Sequence, residues 1–243
     1  MLYATLHAVA TPPWGGLTPA LGRRMRYGVL AGNSHINSHI YEMFESIDPI
    51  DISKFVKKFK SESDDQRFHT LRELILGAEL CRQGLRLRYE KKIKDKTPDW
   101  TIVNEADEVD EILDVVTLHQ RRAKDLDIGR IVATGRIWSG WVTVPPDHIY
   151  SKVQSKADSY AALAAESNTP YTVCLFGEFT ACVDPAQVEY VLYTHHGGVF
   201  LDRPGLSGVL YFHERSGTYH YSHFVNHSSV APSKHLARVA AAA

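Results

Sequence analysis

Between Arg67 and Phe176 the apolar residues of this chain change period in a set order: helix, three strands, helix, strand. That order restricts the fold more than any other feature. Residues 67–83 read as a helix, with Gly84 placed to end it. Residues 85–92, 99–103 and 111–118 are short β-type runs separated by polar turn residues, as in a meander. A second helix is expected from Asp147 to about Ser167, stopped by Asn168-Thr169-Pro170, and residues 171–176 form another apolar strand. Such an order predicts an α/β core in which helices cover a central mixed sheet.

Outside that block the signals are shorter. Residues 1–28 form an irregular, Gly- and Pro-rich lead-in in which Met25 is a second candidate start, and 29–66 read as a helical extension split around Asp48-Pro49. The α/β domain is expected over 67–230. It includes a short helix at 185–196 and a hairpin whose strands, 209–213 and 218–225, flank Glu214-Arg215-Ser216-Gly217. Residues 231–243 are expected to be a flexible tail.

A chain of 243 residues supports one sizeable core, or one core with a small appendage. Cys81, Cys174 and Cys182 are too few and too scattered for a disulfide scaffold or a zinc ribbon, which points to a reducing compartment. No apolar run reaches the ~18 residues of a membrane span. No basic residue precedes the apolar stretch 2–10, so a secretory signal is not expected and the default location is cytoplasmic. The net charge of −1 lacks the basic excess of a dedicated nucleic-acid binder. Basic residues are nonetheless dense at Arg86, Arg88, Lys91, Lys92, Lys94 and Lys96, and again at Arg121, Arg122 and Lys124.

Three acidic residues stand in positions that call for an explanation. Glu73 lies on the flank of the first helix, inside a run that is otherwise strongly apolar, whereas Arg72, Glu79 and Gln83 define its polar face. Asp99 follows Pro98 at the start of a strand. Asp114 interrupts Ile112-Leu113-Asp114-Val115-Val116, where strand propensity disfavours it. Taken singly, each has an ordinary reading as a salt bridge, a turn residue or a bulge. Together, carboxylates gathered at neighbouring strand ends repel one another unless a hard cation neutralises them, and oxygen ligands of this kind select Mg²⁺ or Mn²⁺.

The order helix with Glu, strand, Pro-Asp, strand with an acidic residue, then a Lys-bearing helix resembles the PD-(D/E)XK nuclease superfamily over roughly residues 67–180. The resemblance implies a restriction-endonuclease-like α/β fold and metal-dependent hydrolysis of phosphodiester bonds, with DNA as the foremost substrate. It implies that Asp99 and Asp114 bind Mg²⁺ or Mn²⁺ and that Glu73 assists. It also implies nucleic acid as the partner, contacted by Lys91, Lys92, Lys94, Lys96, Arg121, Arg122 and Lys152; no membrane partner is expected, and a homodimer is compatible with the sequence.

The pattern breaks at one position. The lysine that should stand two residues after the strand acid is Val116. On the helix after Asp147, however, Ile149, Val153, Ala157, Tyr160 and Ala164 define an apolar side, with Gln154, Ser155, Asp158 and Glu166 opposite. Lys156 falls at the edge of the apolar side. The Lys156-x-x-x-Tyr160 spacing resembles a variant of the superfamily that carries its lysine there, and the plain alternative is a lysine that snorkels at a boundary. Without a lysine at the acids, the same fold serves as a non-catalytic interaction module. The 13 histidines form no zinc motif: His35/His39 lack a third ligand, and His195-His196 ends a helix, where imidazoles suit the dipole. Trp138, Trp141 and Arg136 form an aromatic-basic loop suited to stacking on a base or packing on the sheet edge.

Overall fold

The computed structural model describes residues 47–61, 64–118, 144–177, 183–215 and 218–241. The chain divides into two compact units. One comprises Met1–Arg82 with Arg122–Ser139, and the other Gln83–Arg121 with Gly140–Ala243. Arg121, Arg122, Trp138, Trp141 and His35/His39, all singled out by sequence, lie outside the described residues.

In the first unit, helices α1 (Pro49–Ser61) and α2 (Asp64–Arg82) follow one another. From Leu71 to Ala78 every residue of α2 is buried, so this stretch is a helix buried all round rather than an amphipathic one. Arg72, expected on a polar face, is therefore buried. Its i+7 relation to Glu79 carries no weight where the helix has no wet side.

The second unit is built on one six-stranded sheet in the order β1 (Leu87–Tyr89), β2 (Trp100–Val103), β3 (Val109–Leu118), β4 (Tyr171–Gly177), β5 (Gly208–Arg215) and β6 (Thr218–Val225). Short polar connections give antiparallel pairs at β1/β2, β2/β3 and β5/β6. The parallel pairs β3/β4 and β4/β5 need long crossovers. Helix α3 (Pro146–Ser167) lies in the first crossover. The second contains α4 (Pro185–Tyr193), a 3₁₀ turn (His195–Gly197) and α5 (Val199–Asp202). The fold class is thus the mixed α/β class expected from the order of elements.

The crossover helices cover one face of the sheet. Ile149, Val153, Ala157, Tyr160, Leu163 and Ala164 of α3 meet Ile112 and Val116 of β3, Tyr171, Val173 and Leu175 of β4, and Val209 and Tyr211 of β5. Five of the six α3 residues belong to the stripe expected from periodicity. The helix ends where Asn168 turns left-handed (φ 48°), and its N–H bonds to the Ala164 carbonyl. Strands β3 and β4 are buried on both faces, as parallel central strands require.

The segment after residue 230 departs from the expected tail. Leu236 and Val239 are fully buried, and Ala237–Ala241 forms a short helix, α6, that packs by β6. Only two apolar residues three apart carry this docking, too few to stand out from the alanine-rich end of the chain.

Candidate acidic site

Alternation along β3 sends Ile112, Asp114 and Val116 toward α3, with Leu113 and Val115 on the other face. Asp114 is thereby placed in the middle of an apolar face and is only 2% exposed. A carboxylate there needs a counter-charge, because an unpaired buried ion is costly. Lys156 provides it. From the edge of α3's apolar stripe its Nζ donates to Asp114 Oδ2 at 2.6 Å, while its side chain remains 37% exposed. The lysine thus bridges a buried acid and solvent.

Asp99 approaches the same place from β2. Trp100 pairs with Leu113 in the antiparallel register, so the residue before Trp100 stands opposite the one after Leu113, which is Asp114. Directly opposite residues in such a pair have Cβ atoms about 5 Å apart. Asp99 is only partly buried. Its Oδ2 accepts the Val115 backbone N–H at 2.7 Å, and its carbonyl accepts the Glu90 N–H at 3.0 Å. Pro98 just before it explains why this residue flanks the strand: proline lacks the N–H a longer β2 would need.

Two tyrosines form the floor of the site. Tyr160, one turn beyond Lys156, stacks on Tyr171 with ring centroids 4.8 Å apart, and the Tyr171 hydroxyl donates to the Lys156 carbonyl at 3.2 Å. Burial, then the charge of Asp114, then that of Asp99, pushes the Tyr160 phenol far above its ordinary range. Tyr171 is likewise raised by its complete burial, with Asp114 the next cause. Both rings stay neutral at any working pH. Tyr171 was missed by sequence, since an aromatic at the head of a strand signals only a strand.

Glu73 belongs to the first unit, where it is fully buried and held by Lys58 Nζ at 3.1 Å and His69 Nε2 at 3.3 Å. Its burial is accounted for by that pairing. In the second unit, Lys91 bonds Asp107 Oδ2 at 2.6 Å, and Arg88 bonds Oδ1 at 2.8 Å. Lys94 pairs with Glu166 at 2.5 Å. Much of the basic run is thus neutralised within the fold. Lys92 and Lys152 are exposed and Lys96 is half-buried.

Asp99 and Asp114 thus stand at facing register positions, one of them buried, and carboxylate oxygens are the donor type that hard divalent cations take. Among the described residues, no helix is long and apolar enough to cross a membrane.

No family model and no curated protein matches this chain. A solved structure described as SfsA of Pyrococcus furiosus in complex with Ca²⁺ is similar over 66% of this chain and 62% of that one, at 15% identity and a TM-score of 0.29. This chain therefore spans under two thirds of the length of that protein.

Proposed function

We propose that the second unit is a metal-dependent phosphodiesterase acting on nucleic acid, DNA foremost, in the manner of a PD-(D/E)XK site. The observation that carries this reading is Asp114: an aspartate buried within an apolar strand, facing the Asp99 position, with Lys156 Nζ 2.6 Å away. Asp99 and Asp114 would hold Mg²⁺ or Mn²⁺, which when bound supplies Lewis acidity toward a phosphate oxygen. Lys156 stands beside the acids, where its ammonium group would offset charge that develops on the phosphate as the ester bond breaks. The stacked Tyr160 and Tyr171 fix the turn of α3 that carries Lys156 and exclude water beneath it. The Val115 N–H holds the Asp99 carboxylate in place. The exposed Lys92 and Lys152 would contact backbone phosphates, which gives salt-dependent binding.

Cleavage of plasmid and oligonucleotide DNA in Mg²⁺ or Mn²⁺ tests the proposal. Wild type should cut, and Asp99→Ala and Asp114→Ala should each lose activity while staying folded. Undiminished cleavage by both variants would overturn it.

A second reading is a non-catalytic module of the same fold that binds nucleic acid or protein. Val116 at the position of the usual lysine favours it. So does the Lys156–Asp114 bond itself, which satisfies the acid without any metal. Salt-sensitive DNA binding without cleavage in either metal would support this alternative.

A further inference from the structure

Asp147, at the second position of α3, meets the His195-His196 pair that follows α4. His195 Nε2 lies 2.8 Å and His196 Nε2 2.9 Å from the same carboxylate oxygen, Asp147 Oδ1. All three potential ligand atoms fall within 4.8 Å of one another. Adjacent residues in a helix or strand do not aim two side chains at one point. Here they do because His196 is left-handed (φ 53°, ψ 31°) and is followed by Gly197 and Gly198, also at positive φ. Gly198 is required for this path, since a Cβ there would meet the Leu192 carbonyl oxygen at 2.6 Å.

The rings are held from the sides. Tyr150 sets its edge against both imidazoles, with centroids 6.1 Å from His195 and 5.4 Å from His196, and Tyr190 lies 5.7 Å from His195. The Tyr150 hydroxyl is itself anchored on Asp202 at 2.8 Å. His195 is 17% exposed, while His196 and Asp147 are 62% and 76% exposed. The cluster is therefore walled on one side and open to water on the other.

We propose that Asp147, His195 and His196 form a binding site for a divalent transition metal of the Zn²⁺, Co²⁺ or Ni²⁺ type, separate from the acidic pair. Metal–nitrogen and metal–oxygen bonds of about 2.0–2.2 Å place neighbouring ligand atoms about 3 Å apart, close to the separations seen here. Two imidazoles with one carboxylate select these borderline metals over Mg²⁺. Three protein ligands on a solvent-facing site leave coordination positions for water or a small anion. Each Nε2 lone pair turns to the metal with the ring proton on Nδ1, so loading replaces the two hydrogen bonds to Oδ1. Lys156 stands nine positions after Asp147, about 14 Å along α3, so one ion does not serve both places.

The test is titration of Co²⁺ into the full chain, followed by its visible d–d absorption and by thermal shift. Wild type and Asp114→Asn should develop the same nitrogen-ligated bands with a rise in Tm. His195→Ala and His196→Ala, at side chains that carry little core packing, should lose the bands and weaken binding at least about tenfold. The control His227→Ala should behave as wild type. Bands that survive in both histidine variants, or that vanish in Asp114→Asn, would overturn the proposal. Failure of the nuclease reading has no bearing on this result.

Discussion

Asp114 and Glu111 stand three residues apart on β3, so they face opposite sides of the same sheet, and both are buried. Their surroundings differ. Asp114 meets a lysine at 2.6 Å and a second aspartate at the facing register position. Glu111 receives the Thr172 hydroxyl on Oε1 at 2.8 Å, and Oε2 makes no hydrogen bond of normal geometry among the described residues. Burial raises the Glu111 carboxyl above its ordinary 4.5, tempered by the nearby Ser233 hydroxyl and the Lys234 and His235 amides. The same face holds His223, whose two buried ring nitrogens have no partner among the described residues and whose burial lowers it to about 4. One strand thus shows both ways of keeping an acid inside a protein. On the α3 side the acid is matched by a lysine; on the other side burial disfavours the charged forms. The proposed metal site rests on the matched pair that reaches solvent through Lys156.

Asp114→Ala should abolish metal-dependent cleavage, by about 10²–10³-fold in rate, whereas Glu111→Gln should leave it within about twofold. Equal losses in the two would erase the distinction between the faces. His223 carries a pH effect on stability on the acid side. Its pKa is lower folded than unfolded, so the unfolded chain binds more protons as pH falls, and stability is lost between 6.5 and about 4. Acid unfolding melts of His223→Leu should lack up to about 3 kcal/mol of that loss. Lys156→Met should cost about 2 kcal/mol in denaturant unfolding, below the usual 3–5 for a broken buried pair because the lysine is partly exposed. A neutral effect would mean that Asp114 does not depend on its lysine. Glu111→Gln has the smallest effect. A raised folded pKa means stability falls as pH rises above 4.5, so the substitution should stabilise at pH 8 and do so less at pH 4.

The legibility of the two faces differed for a physical reason. The α3 side could be read because helix periodicity is strong: Ile149, Val153, Ala157, Tyr160 and Ala164 mark the buried stripe and leave Lys156 at its edge. Asp114 stood out because an acid inside a β-branched run violates strand propensity. Glu111 left no such mark, since an acid near the start of a strand reads as a solvated end. Its carboxyl lies beside Thr172 of β4 and the 233–235 segment, distant in the chain. Asp147 with His195-His196 was illegible for the same reason, because its members are 48 residues apart and meet only through α3 and the turn after α4. Arg72 was misread because a helix buried all round has no polar face to predict.

The most direct test of the charged face is calorimetric titration of Mn²⁺ into wild type, Asp114→Asn and the His195→Ala/His196→Ala double variant. The account predicts a binding event that persists in the double histidine variant and disappears in Asp114→Asn. A wild type that shows no event beyond the one removed by the histidine substitutions would contradict it, leaving Asp114 and Lys156 as a buried ion pair and nothing more.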